Sequence, residues 1–98
     1  MYASVTSAQL QSGKLDEFLT VYRESVLPLV KGFPGLKHLY VLTDANTNQG
    51  MTIAFYATAA DAERIQANGE FQKAVGILAS MLVIESIDRK GYEVSIES

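Results

Sequence analysis

The side chains able to do chemistry near neutral pH are few, and their types bound what that chemistry is. There is one histidine, with five tyrosines and no cysteine. Histidine is the side-chain type whose unperturbed pKa lies nearest neutrality, and His38 is the one histidine here. A general base that takes a proton from a phenol or an enol would therefore be His38. No carboxylate stands at a spacing that would orient it, and a histidine at a sheet edge or a subunit contact is the plainer alternative. Without cysteine, disulfides, thiolate nucleophiles and cysteine-based zinc or iron–sulfur sites are excluded. One histidine cannot build a multi-histidine centre. Asp88, Glu93 and Glu97 match no metal spacing, and no Gly-rich phosphate loop occurs. No metal and no cofactor is expected. The phenols remain. Tyr22, Tyr40 and Tyr56 each carry one hydroxyl on a large apolar body, which suits a pocket that is mostly apolar with a few polar groups. Core tyrosines bonded to backbone or water would look the same. Arg23, beside Glu24 and seven residues from Asp16, could meet an anion or form a solvated helix face.

These residues are positioned by elements that the hydropathy pattern makes legible. Residues 2–10, rich in Val, Thr, Ser and Tyr, read as a strand with Tyr2, Ser4, Thr6 and Ala8 on one face. Leu15, Phe18, Leu19, Tyr22, Val26, Leu29 and Val30 recur at helical spacing, which predicts a helix over 14–31. Pro28 should kink or loosen its last turn, and Gly32-Phe33-Pro34-Gly35 should stop it. Residues 36–44 and 51–57 read as strands joined by the turn-forming run Asp44–Gly50. In the first of these, Leu36, His38, Tyr40 and Leu42 share a face. Thr58 is the expected N-cap of a short helix, with Asp61 in an imperfect capping box. Asn68-Gly69 breaks that helix. A further one begins near Glu70, with Phe71, Val75, Leu78 and Leu82 on one side. Residues 86–97 return to alternation, with a bulge expected at Arg89-Lys90-Gly91.

The order βαββαβ predicts an α+β fold, the ferredoxin-like plait: a four-stranded antiparallel sheet with its helices on one face. One domain over residues 1–98 is expected at this length. Both faces of the middle hairpin carry large apolar groups, and 48% of all residues are hydrophobic. Two helical segments cannot cover two faces, so a homodimer packed sheet to sheet is expected. The net charge is −3 and no basic run reaches four residues, so no nucleic-acid partner is expected. No apolar stretch approaches the ~20 residues of a membrane span. Met1–Val5 has no signal-peptide pattern, which makes the cytoplasm the expected compartment.

Four short motifs occur in order: Gly13-Lys14-Leu15-Asp16-Glu17-Phe18, Phe33-Pro34-Gly35-Leu36, Phe55-Tyr56-Ala57-Thr58-Ala59-Ala60-Asp61-Ala62 and Asn68-Gly69-Glu70-Phe71-Gln72. Together they resemble the antibiotic biosynthesis monooxygenase (ABM) family of dimeric α/β-barrel domains. The resemblance implies a pocket between sheet and helices, lined by Thr6, Tyr22, Tyr40, Tyr56, Phe71 and Val75. Haem-degrading members of the superfamily use an Asn, a Trp and a His where ungapped matching places Thr6, Tyr56 and Val75. Val75 cannot ligate iron, and another family position for His holds Glu70. What the resemblance implies is a small dimeric domain binding a small aromatic molecule. The alternative is a cofactor-independent monooxygenase acting on a phenolic or polycyclic substrate. A regulatory plait that binds an amino acid is a third reading. Cavity volume beside Tyr56 separates them, because ligand pockets run from about 300 Å³ upward.

Overall fold

The alternating runs pair into one antiparallel sheet. In the computed structural model, which describes all 98 residues, β1 (Tyr2–Gln9), β2 (Leu36–Asp44), β3 (Gln49–Tyr56) and β4 (Asp88–Glu93) lie in the order β2-β3-β1-β4. β1 and β3 run down the middle in the register Tyr2↔Tyr56, Ser4↔Ala54 and Thr6↔Thr52. β4 flanks β1, placing Arg89 opposite Thr6 and Gly91 opposite Ser4. The plait expected from the element order is the one observed.

The first helical segment departs from a single helix. α1 (Leu15–Val21) passes into a π-helical turn (Tyr22–Val26) and then α2 (Leu27–Val30). The Leu27 N–H bonds the Tyr22 carbonyl, five residues back. Pro28 is the physical cause. It has no N–H to give, and its ring crowds the carbonyl four residues earlier, that of Glu24. The disturbance predicted at Pro28 therefore falls in the turn before it, as one extra residue.

α3 (Ala59–Ala67) starts as its cap predicts: Thr58 Oγ1 accepts from the Asp61 N–H at 3.2 Å. The box closes through the hydroxyl, since Thr58 donates to Asp61 Oδ2 at 3.0 Å. Gly35, in the left-handed region at φ +81, lies against the Asp61 side chain so closely that any Cβ would collide with it. After Asn68-Gly69, α4 (Glu70–Leu78) begins. It ends earlier than expected: 3-10 turns follow at Ala79–Met81 and Ile84–Ser86, and Leu82 lies beyond the helix, bridging Leu10.

Two expectations about strands are corrected. The β1–β4 register is unbroken, so there is no bulge at Arg89–Gly91. The irregularity sits in β2 instead, between Leu36 and His38. The extra residue, Lys37, shifts the alternation and moves Leu36 away from the His38 face. Leu36, Leu39 and Val41 then pack toward the helices.

The core fills the space between sheet and helices. Leu10, Phe18, Tyr22, Val26, Val30, Leu78, Met81 and Leu82 form one buried cluster, and Ala54, Tyr56, Ala62 and Ile65 a second. Phe33, Leu36 and Leu39 touch both. The opposite sheet face has no such cover. Tyr40, Leu42 and Tyr92 are about half exposed there (54%, 47% and 53%). By strand register Val5, Ile53 and Phe55 lie among them.

Candidate functional site

Inward-facing positions of the three strands on one side of the sheet set the floor of a cavity. Ser4 and Thr6 of β1, Thr52, Ala54 and Tyr56 of β3, and Arg89 of β4 line it. They face it together because register fixes them side by side, and residues two apart on a strand share a face. The roof comes from the helices: Phe18 and Tyr22 from the first segment, and Phe71, Ala74, Val75 and Leu78 from α4. Eighteen of the 24 lining residues are hydrophobic. The cavity holds about 100 Å³.

Two phenols face this space. Tyr22 and Tyr56 are 7% and 3% exposed. Every fully buried side-chain nitrogen or oxygen has a hydrogen-bond partner, and no side-chain hydrogen bond uses either phenol. Their oxygens therefore reach accessible space, which both residues border as cavity lining. Burial pushes the Tyr22 hydroxyl up to about 12, and the neighbouring Tyr56 adds to the rise. Burial also raises Tyr56, with the Arg89 charge pulling the other way. Both phenols are accordingly protonated at neutral pH, and each is a donor rather than a base.

Arg89 closes one end of the cavity. Its guanidinium carbon stands 4.9 Å from the centroid of the Phe71 ring, and Nη1 donates to Gln66 Oε1 at 2.5 Å. Gln66 lies in the last turn of α3 and Phe71 in the first turn of α4, so Arg89 spans the Asn68-Gly69 break. None of the three ion pairs in the molecule includes Arg89. No Asp, Glu or His lines the cavity. A cation partly withdrawn from water, with a ring and an amide as neighbours but no carboxylate, can stabilise an anion placed beside it.

Of the residues singled out in the sequence, Thr6, Tyr22, Tyr56, Phe71 and Val75 border this one cavity. Tyr40 does not. Alternation puts Leu39 on the cavity side of β2 and sends Tyr40 to the opposite face, where it meets Phe55 edge to face at 6.1 Å. His38 is exposed on that same outer face, opposite Phe55 in register. A sheet's thickness separates it from Tyr56, so His38 is not placed to serve as a base in this cavity. Arg89 was missed. Its signal was available in the alternation of Asp88, Arg89 and Lys90, which puts one basic residue of the pair on the inner face. The bulge expected at that point obscured it. No group of three or more His, Cys, Asp or Glu side chains gathers as a metal site would require, and no helix is long and apolar enough to cross a membrane.

The family model described as antibiotic biosynthesis monooxygenase matches residues 1–76. No curated protein matches the chain. Among solved structures, a candidate antibiotic biosynthesis monooxygenase of Bordetella bronchiseptica superposes with a TM-score of 0.79 at 12% identity, covering 97% of each chain. One from Nitrosomonas europaea gives 0.76 at 18% identity, over 98% of this chain and all of the other. SnoaB of Streptomyces nogalater, a cofactor-independent oxygenase, gives 0.75 at 14% identity over 98% of this chain and 94% of its own. At these identities the likeness is one of fold.

Proposed function

We propose, from the premise that this chain belongs to the antibiotic biosynthesis monooxygenase family, that its cavity binds a single-ring phenol or enol as the anion and presents it to dioxygen. The observation that carries this reading is the Arg89 guanidinium, which lacks a carboxylate and faces an apolar cavity with two protonated phenols. A substrate oxyanion placed there would accept from Arg89 and from the Tyr22 and Tyr56 hydroxyls. Charge-assisted bonds in a low-dielectric pocket favour the ionised substrate and lower its pKa, so the proton can leave to water without a protein base. The electron-rich ring carbon of that anion can then reduce oxygen. For a phenol giving a quinone, one oxygen atom enters the ring, the other leaves as water, and the substrate supplies all the electrons. Apolar walls keep water from the reacting carbon. The fold likeness to SnoaB, a cofactor-independent oxygenase, supports chemistry of this kind.

Size narrows the substrate. The cavity's 100 Å³ falls well short of the ~300 Å³ expected of a drug-sized site. An apolar cavity of about 150 Å³ takes benzene. A polycyclic substrate is therefore set aside, and one ring enters only if Phe71 and Arg89 yield slightly. The same small volume supports a second reading, a binding domain without turnover. Titration of substituted phenols under nitrogen, followed by oxygen uptake on admitting air, separates the two. Binding that tightens as pH rises through the ligand's own pKa, and weakens roughly tenfold or more in Arg89→Gln, is expected. Affinity indifferent to both would end the anion reading. Binding without oxygen uptake would favour the domain without turnover.

The homodimer belongs to this proposal as well. The sheet face bearing Tyr40, Leu42 and Tyr92 is apolar and uncovered within one chain. A second copy packed against it would remove that surface from water.

A further inference from the structure

We propose that the groove between the first helical segment and β2 is a second binding site, specific for a short amphipathic carboxylate such as a medium-chain fatty acid. Leu19, Tyr22 and Leu27 form one wall, Leu39 and Val41 the other, and Arg23 the rim. The groove holds about 210 Å³, twice the volume of the inner cavity.

The π turn shapes the helical wall. Two turns of α-helix take about 7 residues. One extra residue in the second turn brings the repeat to eight, which is the separation of Leu19 and Leu27. The two leucines then stand above one another along the groove instead of drifting around the helix. Wide turns of this kind often mark functional sites. The opposite wall is the edge strand of the sheet, so no further strand closes the groove on that side.

Charge complementarity selects the ligand. Five of the six lining residues are hydrophobic and the sixth is Arg23. Arg23 is exposed and belongs to none of the three ion pairs. Glu24 is its direct neighbour on the helix, and side chains one residue apart do not face each other. An apolar trough with one free cation at its lip fits an alkyl chain that ends in a carboxylate. The chain would lie along Leu19, Leu27, Leu39 and Val41, and the carboxylate would accept from the Arg23 fork. Leu39 and Val41 face the helices, so the groove stays open in a dimer formed through the other side of the sheet. Tyr22 is shared, forming a wall of both cavities.

Octanoate and octanol, titrated calorimetrically into the intact protein, test the assignment. Octanoate should bind saturably, shift the methyl resonances of Leu19, Leu27 and Val41, and lose roughly tenfold in affinity in Arg23→Gln. Arg23→Lys keeps the charge without the fork and should bind more tightly than Arg23→Gln and more weakly than wild type. Octanol should bind wild type about as weakly as octanoate binds Arg23→Gln. Arg23 is a surface residue, so its variants are expected to fold. Absence of saturable octanoate binding would overturn the proposal. So would binding that survives Arg23→Gln but is lost in Arg89→Gln, since the ligand would then occupy the inner cavity.

Discussion

Tyr22 shows how burial turns a common side chain into a specific one. Its hydroxyl ordinarily ionises near 10 and is pushed up to about 12 by the core around it. The folded state therefore holds this proton more tightly than the unfolded chain does. The associated stability is complete below pH 10 and is lost as pH rises toward 12, where the unfolded chain has already ionised. The loss should be on the order of 2 kcal/mol. Denaturant melts of wild type and Tyr22→Phe should run parallel below that window. Within it, wild type should decline more steeply. Equal slopes would mean that the phenol is not desolvated. Arg89 obeys the same physics with the opposite need. Its charge is permanent, and what it lacks is a counter-ion, which is why its removal should be read in ligand affinity before stability.

Among the elements, the start of α3 ties the sheet to the helices. Gly35 closes the loop before β2, its carbonyl accepts from the Ala57 N–H at 2.9 Å, and the Asp61 carboxylate fills the space a Cβ would need. Gly35→Ala adds both a left-handed backbone penalty and a collision with Asp61. A loss of about 1–2 kcal/mol from the backbone alone is expected, and more with the collision. Thr58→Ala removes the cap and should cost about 1 kcal/mol. The two changes meet at Asp61, so a double-mutant cycle read by thermal melting should be non-additive. Strict additivity would mean that Asp61 does not link loop and cap. At Gly91 a Cβ would meet the far end of the Tyr2 side chain, without the left-handed backbone that constrains Gly35.

At the scale of the whole molecule, the two sheet faces are unequally served. The helices cover one, while Tyr40, Leu42, Ile53, Phe55 and Tyr92 remain on the other. Sedimentation at micromolar concentration should give twice the chain mass of 10.7 kDa. Tyr40→Glu combined with Ile53→Glu should yield monomer, because a dry sheet-to-sheet contact cannot hold unpaired charge. A wild-type monomer at that concentration would leave the face without an occupant.

Much of this was legible from local pattern. Period-2 and period-3.6 hydropathy located the four strands and the main helices, but not the 3-10 turns after α4 or the extent of β4, which spans Asp88–Glu93 instead of 86–97. The Thr58 cap was readable from residue types, and the βαββαβ order led to the plait. Thr6, Tyr22, Tyr56, Phe71 and Val75, expected from the family resemblance, border the cavity: the first and third because alternate strand residues share a face, the other three because they lie on the helical side that covers it. Three things needed the tertiary structure. The Lys37 bulge, which reassigns Leu36, depends on how β2 meets β3. The exclusion of Tyr40 and His38 from the cavity depends on which face the helices cover. The placement of Arg89 in the cavity lining depends on β4 lying beside β1, so that it stands opposite Thr6, 83 positions away in sequence. Hydropathy records what a residue prefers to touch. It does not record which distant strand supplies the contact, and that pairing decided which residues line the cavity.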